Sequence, residues 1–476
     1  MMLLFYPLRM NFSSSQIKLF SIVGGILVML FLVFLVFGRG PGAEKQTISL
    51  KIWGVGDTQA DMQPVIGDFI NYAKSVPQFE GVTFDIQYRE WREDEYERLL
   101  LDQLAEGDGP DIMFIHNTWL PKYYKKLLPL PADQMTLDQF REQFVPVTAT
   151  DLIYDRKIYA LPHYVDTLAL YYNTQQFQSG NSNSSRPSTS WTNFKNQVAA
   201  MTNKNGTIIS RSGSALGTAK NIKYATDILY TYILQRNGKV CRDETCNAVM
   251  LSDNREVRDA LEEYVSYSDP TSANYVWDSD YLKGLENNNI FQDIDAFIRG
   301  RVSSFFGYAS DYDQIVTLGK VNNLKFDVAE IPQSDEAVAN NEKVAFANYW
   351  APAVSKDSKQ PQLAWDFIKF MTSKVTLGSY YERHPRPPSR EDMIDTGSEN
   401  PLRVFHRQAK FAASLVLFDK FAFDAAFADG IEQVAIKSST SFNTLRKLEN
   451  DLNAIIAPYF QVLGDKVTDG NDDQGN

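Results

Sequence analysis

Apolar residues recur along the chain with two periods, and their alternation predicts its organisation. Residues 47–54 (TISLKIWG) and 82–88 (VTFDIQY) alternate apolar and polar positions, the period of a half-buried strand. Between them Met62, Val65, Ile66, Phe69, Ile70 and Ala73 share one helical face, which predicts a helix over 58–75. A second helix is expected over 94–105, stopped by Gly107 and Gly109. Residues 110–115 (PDIMFI) are almost wholly apolar, like a strand covered on both faces. Strand, helix, strand, helix, strand is the order of an α/β layer joined by right-handed crossovers.

Helical spacing dominates the rest: 191–201, 219–235, 255–268, 362–372, 402–418, 421–435 and 444–460. Strand-like runs fall at 302–308 and 326–331, and 345–354 (AFANYWAPAV) reads as one strand. The polar stretch 179–190 predicts a loop, and the polar residues 464–476 a disordered tail. Asp469, Asn471 and Asp473 alternate like calcium ligands, but no Glu closes such a loop, so a solvated tail is favoured.

The N-terminal region changes the picture of where the chain works. Residues 19–37 (LFSIVGGILVMLFLVFLVF) carry no charge, and 19 residues of helix span roughly 28 Å, a hydrocarbon core. No A-x-A-like site follows, and no Cys is near for lipid attachment. The pattern predicts a cytoplasmic tail (1–18), a single transmembrane anchor (19–37) and a linker (38–46), with the large domain on the extracytoplasmic side. A long cleaved signal peptide is the alternative.

Composition adds exclusions. Hydrophobic residues are 44% and charged residues 22%, the usage of a globular protein. The formal charge of −12 argues against nucleic acid as a partner. Two Cys and four His leave little for a metal site. Cys241 and Cys246, in CRDETC, are compatible with a disulfide in an oxidising compartment or with two free thiols. Gly54-Val55-Gly56 follows a strand, but the sixth position is Gln59, so the dinucleotide fingerprint fails. There is no Walker loop, H-E-x-x-H or G-x-S-x-G, and carboxylates are too common to identify a catalytic pair. Neither enzymatic activity nor a cofactor is expected.

Ordered motifs carry a resemblance. Arg156-Lys157-Ile158-Tyr159-Ala160-Leu161-Pro162 is followed by Leu170-Tyr171-Tyr172-Asn173, with PDIMFI upstream. Trp191-Thr192-Asn193-Phe194, then Ala296-Phe297-Ile298-Arg299-Gly300-Arg301-Val302, then Ala353 to Lys359 and Ala364 to Phe370, keep the same order. Over roughly 48–460 the chain resembles the extracellular solute-binding proteins of the maltose-binding group, family 1. The anchor in place of a lipid-modified Cys and the Cys241–Cys246 loop depart from that pattern.

The resemblance implies a two-lobed periplasmic-binding-protein fold of type II, each lobe a mixed, mostly parallel sheet flanked by helices. Lobe 1 would hold 47–165 plus 345–395, and lobe 2 would hold 166–344 plus 396–463, with crossings near 163–167 and 348–352. It further implies a monomer that binds a small molecule and serves an ABC permease and ATPase on separate chains; the aromatics favour a carbohydrate, with a peptide, polyamine or phosphorylated polyol as the alternatives. Rival readings are a surface ligand-sensing or adhesive domain and a cell-surface glycosidase.

A sugar site needs planar hydrogen-bonding side chains and rings to stack on. Such residues cluster at strand ends: Trp53 and Asp57; Asn117 and Trp119; Tyr164, Asp166 and Thr167; Phe306 and Tyr308; Asn348, Tyr349 and Trp350; and Arg386 in the HPRPP loop. Trp53 and Tyr171 serve equally well as core, Asp166 as a hinge residue and Arg386 as a surface ion pair. Trp191 and Trp365, on apolar helical faces, are expected in the core.

Overall fold

The computed structural model describes residues 47–179, 184–278, 280–281, 291–340 and 342–468. The expected tail, anchor and linker (1–46) and the last residues (469–476) lie outside the described residues. Among the described residues no helix is long and apolar enough to cross a membrane.

The strands in chain order are β1 (Thr47–Gly54), β2 (Thr83–Glu90), β3 (Ile112–His116), β4 (Leu127–Leu128), β5 (Ile153–Tyr154), β6 (Lys157–Ile158), β7 (Asp166–Thr167) and β8 (Ala169–Asn173). They continue as β9 (Asn203–Asn205), β10 (Ile208–Arg211), β11 (Ser304–Gly307), β12 (Phe326–Ala329), β13 (Ala345–Asn348), β14 (Trp350–Ser355) and β15 (Ala412–Ala413). The described chain divides into two compact units, one of residues 47–49 and 70–85, the other of 50–69 and 86–468. In the smaller unit the Phe79 and Phe84 rings meet edge to face at 5.4 Å.

The larger unit holds the pieces that position the site. One sheet has the order β2-β1-β3-β14-β4, and another the order β11-β8-β12. A third small sheet, β15-β13-β7, gathers three distant parts of the chain. Thr167 pairs with Ala347 and Asp166 with Asn348, while Ala345 pairs in parallel with Ala412. The run 345–354, expected as one strand, is two. Its first half, β13, lies in the small sheet, and its second half, β14, runs antiparallel to β3.

The expectation of mostly parallel sheets is corrected. β1 and β3 are parallel, as crossover helices require, but β14 is antiparallel to β3 and β4. In the second sheet β8 is antiparallel to both neighbours. The reason is the direction of travel. β8 leaves the small sheet, whereas β11 and β12 return towards it: Gly307 pairs with Ala169, the first residue of β8, and Ala329 with Leu170.

Helices form at Gln59–Lys74, Glu93–Glu106, Trp191–Met201, Arg255–Ser266, Pro361–Met371 and Lys420–Ala435, close to their predicted spans. The 219–235 pattern yields a shorter helix, Ala225–Leu234. The helix expected over 402–418 ends at Gln408, and the chain passes through a 3-10 turn into β15. The last helix, Ser441–Thr468, continues past Gly464. Trp191, Trp365 and Tyr171 are buried in the core, as helical periodicity or strand burial demands. Cys241 and Cys246 form a disulfide.

Candidate functional site

β1 ends in a turn that only glycine allows. A Cβ on Gly54 would collide with the Tyr88 ring, and Gly56 has φ +85°. The turn drives Asp57 into the interior. Its carboxylate lies 2.8 Å from His163 Nε2 and accepts from the Tyr380 hydroxyl, while Tyr88 Oη donates to its carbonyl at 2.7 Å. Burial alone would raise the Asp57 pKa, but His163, Tyr380 and Arg386 outweigh it and hold the carboxyl below its ordinary value. Arg386 donates to the Gly56 carbonyl at 3.3 Å and sits over the Tyr164 ring, 5.7 Å from its centre. Its Nε has no partner among the described residues. Trp53 lies beside Trp91, ring centres 4.8 Å apart, with the Arg89 guanidinium 3.6 Å from the Trp91 ring centre.

The end of β3 meets the start of β14. His116 Nε2 is 2.9 Å from Asn348 Oδ1. Burial lowers the His116 pKa to about 3, so the ring is neutral. Trp119 lies between two rings, stacked with Tyr123 at 5.0 Å and with Tyr96 at 6.1 Å, and Trp350 meets it edge-on at 5.0 Å. Asp151 Oδ2 accepts from Tyr349 Oη and Ser414 Oγ, both at 2.8 Å, and from Asn117 Nδ2 at 3.2 Å.

Burial pushes Asp151 up to about 7, against those three hydrogen bonds. The folded state therefore holds a proton that the unfolded chain loses near pH 4, and stability should fall as pH rises from about 4 to 7. Asp151→Asn should flatten that slope by up to one proton, about 1.4 kcal/mol per pH unit, in urea unfolding followed from pH 4 to 8. An unchanged slope would mean that Asp151 is ionised in the folded protein.

Across the small sheet, Asp166 caps the turn at Ala309–Asp311. Its carboxylate accepts from the backbone N–H groups of Thr167, Ala309 and Ser310 at 2.9, 3.0 and 3.1 Å. Tyr308 Oη donates to Asp227 Oδ2 at 2.8 Å, and Lys420 Nζ pairs with Asp227 Oδ1 at 3.3 Å and with Asp424. Lys223 Nζ reaches Asp311 at 2.8 Å.

The sequence of residues 74–405 matches the family model described as "Bacterial extracellular solute-binding protein". The chain belongs to the bacterial extracellular solute-binding proteins. A maltotriose-binding protein of Pyrococcus abyssi is 30% identical over 77 residues, 16% of this chain. That match spans only 17% of the relative's own length. Solved structures share the fold at low identity. The sugar-binding protein MalE from Xanthomonas citri has a TM-score of 0.69 at 16% identity, covering 88% of this chain and 99% of its own. A solute-binding protein from Thermotoga lettingae, bound with α-D-tagatose, has 0.63 at 18%, covering 86% and 99%. A cyclo/maltodextrin-binding protein complexed with maltotetraose has 0.64 at 18%, covering 88% and 99%. These are two-lobed α/β binding proteins of the MalE kind, and the family comprises substrate-binding proteins, not enzymes.

For a solute-binding protein the placement of the thirteen residues singled out in the sequence is informative. Trp53, Asp57, Tyr164 and Arg386 come together at the end of β1. Asn117, Trp119, Asn348, Tyr349 and Trp350 come together where β3 meets β14. Yet Trp119, Tyr349, Thr167 and Phe306 are fully packed: Thr167 Oγ1 accepts from Gln408, and Phe306 lies against Trp191 and Phe194. Sequence reasoning missed Trp91, Arg89, Glu93, Lys223, Tyr224, Asp227, Lys420 and Asp424. One of them carried a signal. Lys420 is the first residue of a helix that Asp419 caps, and a cation there opposes the helix dipole. Among the described residues no group of His, Cys, Asp and Glu could hold a metal ion.

Proposed function

We propose that this protein is a membrane-anchored, extracytoplasmic binding protein. It captures a sugar or oligosaccharide and delivers it, as a monomer, to an ABC importer whose permease and ATPase are separate chains. The ligand enters a cleft between lobe 1 (47–165 plus 345–395) and lobe 2 (166–344 plus 396–463). The reading rests on the family together with one observation, the small sheet in which β7, β13 and β15 run side by side. β7 and β13 act as a hinge, because β7 leads into β8 of one larger sheet and β13 leads from β12 of that sheet into β14 of the other. Ligand stabilises the closed form because only that form touches it from both sides.

Trp53, Tyr164, Asn348, Tyr308 and Arg386 keep a place in the cleft wall. The tightly packed Trp119 and Tyr349 support the wall from behind. The uncharged stretch 19–37 supplies the anchor. The test is a thermal-shift screen of the full chain in a sugar-free detergent against mono- and oligosaccharides, neutral and aminated. Ligand at 100 times its Kd should stabilise the protein by about 2.7 kcal/mol and raise Tm accordingly. No rise with any sugar would overturn the carbohydrate reading.

A further inference from the structure

We propose that Glu97, Lys122 and Asp419 form a latch that holds the two lobes in the closed form and so sets how tightly a ligand is kept. The inference rests on the lobe division proposed above, which puts Glu97 and Lys122 in lobe 1 and Asp419 in lobe 2. The Lys122 ammonium lies 2.8 Å from Glu97 Oε1 and 2.7 Å from Asp419 Oδ2. Its side chain is 5% exposed, and those of Glu97 and Asp419 are 14% and 19% exposed. Burial alone would lower the ammonium pKa; Asp419 and Glu97 outweigh burial and hold it above its ordinary value. One cation is thus shared between a carboxylate of each lobe.

Each partner is fixed by its own element. Glu97 also accepts from Tyr123 Oη at 2.9 Å, which ties the Glu93–Glu106 helix to the short helix Leu120–Tyr123 that carries Lys122. Asp419 caps the Lys420–Ala435 helix: its Oδ1 accepts from the Ala422 N–H at 3.1 Å, which leaves Oδ2 for Lys122. Two rings of lobe 2 reach the same place. The Tyr459 ring centre is 5.7 Å from Lys122 Nζ, and Phe421 meets Trp119 edge-on at 6.3 Å. Burial raises the Glu93 pKa and Lys420 lowers it, in keeping with two helix starts that face each other. Trp119 and Lys122 follow the C-terminal end of β3, the edge at which an open α/β sheet places its cleft.

The other buried lysine is different. Lys420 pairs with Asp227 and Asp424, both in lobe 2, so that cluster stays together whether the lobes are open or closed. The Lys122–Asp419 contact breaks when the two helix starts separate, and Lys122 is then left with Glu97 and water. The contact therefore adds its energy to the closed form alone. One charge-assisted hydrogen bond is worth about a factor of ten in the ratio of closed to open protein. The apparent affinity for a ligand that needs the closed form falls with the closed fraction.

Electron double resonance on the full chain in a sugar-free detergent tests this, with spin labels at Glu95→Cys and Ala425→Cys. Both positions are exposed and lie near the starts of the two helices, which opening draws apart. The native Cys241 and Cys246 are bonded to each other and take no label. Asp419→Asn keeps the helix cap, because asparagine caps as well as aspartate, and removes the charge. The ratio of short to long distances should fall about tenfold in Asp419→Asn and in Lys122→Met, and no further in the double variant. A ratio unchanged in both single variants, even with the urea midpoint lowered, overturns the latch, makes the ion pair a local brace and leaves the sugar reading standing. A loss of about a hundredfold in the double variant means that the two residues act apart, which also overturns the latch. A single distance in every variant overturns the latch, and if no sugar raises Tm either, the lobe and sugar readings fall with it.

Discussion

Lys420→Met should cost the protein about 3–5 kcal/mol of stability at neutral pH, read by urea unfolding. The ammonium is almost fully buried and is held between Asp227 and Asp424. Burial alone would lower its pKa, but the two carboxylates outweigh that and raise it, so the ammonium is charged in the folded protein. Methionine fills the volume and removes the charge. The buried Asp227 and the partly exposed Asp424 then face each other without a cation, the costly half of a broken ion pair. The sign with pH is fixed. Burial already raises Asp424, and losing Lys420 raises it further. An acid raised on folding binds protons more tightly in the folded state, so the deficit of the variant should shrink as pH falls below neutrality. The double variant Lys420→Met, Asp424→Asn should recover part of the loss. A loss below about 1 kcal/mol, or one independent of pH, would mean that water already hydrates the ammonium.

The cluster around Lys420 also marks the limit of what could be read in the chain. The strands and helices from Thr47 to Glu106 were legible because one face of each is apolar at a fixed period, and β3 because its run is apolar on both faces. The 345–354 run was legible as extended but not as divided, because period two is indifferent to a strand that leaves one sheet and enters another at Tyr349. β15 has two residues, too few to show any period, and it was hidden in a helical pattern. The antiparallel direction of β8 depends on where β11 and β12 return, which no local spacing encodes. For the site, rings and amides at strand ends were the readable signal, and the fold used several of them as core. Asp227, Asp424 and Glu93 lie on helices among many other carboxylates, and only tertiary packing distinguishes them.

The distinction between supporting ring and ligand contact can be measured at Trp119. Trp119→Ala should cost about 3–5 kcal/mol, the loss expected when a buried indole leaves a cavity. Its ring has no exposed surface and is enclosed by Tyr96, Tyr123 and Trp350, with Phe421 edge-on at 6.3 Å. Such a wall cannot collapse onto a missing ring without breaking the other stacks, so the cavity should persist. If the alanine variant fails to fold, Trp119→Phe keeps one ring of the stack and should lose less. In either folded variant, sugar affinity by calorimetry should change less than stability does, because the indole is packed against Trp350 and presents no surface to a ligand. The opposite result, an almost unchanged urea midpoint with affinity lost, would return Trp119 to the ligand. It would then imply that the packing between β3 and β14 opens when the lobes part, so that a ring buried here is uncovered in the form that first meets the sugar.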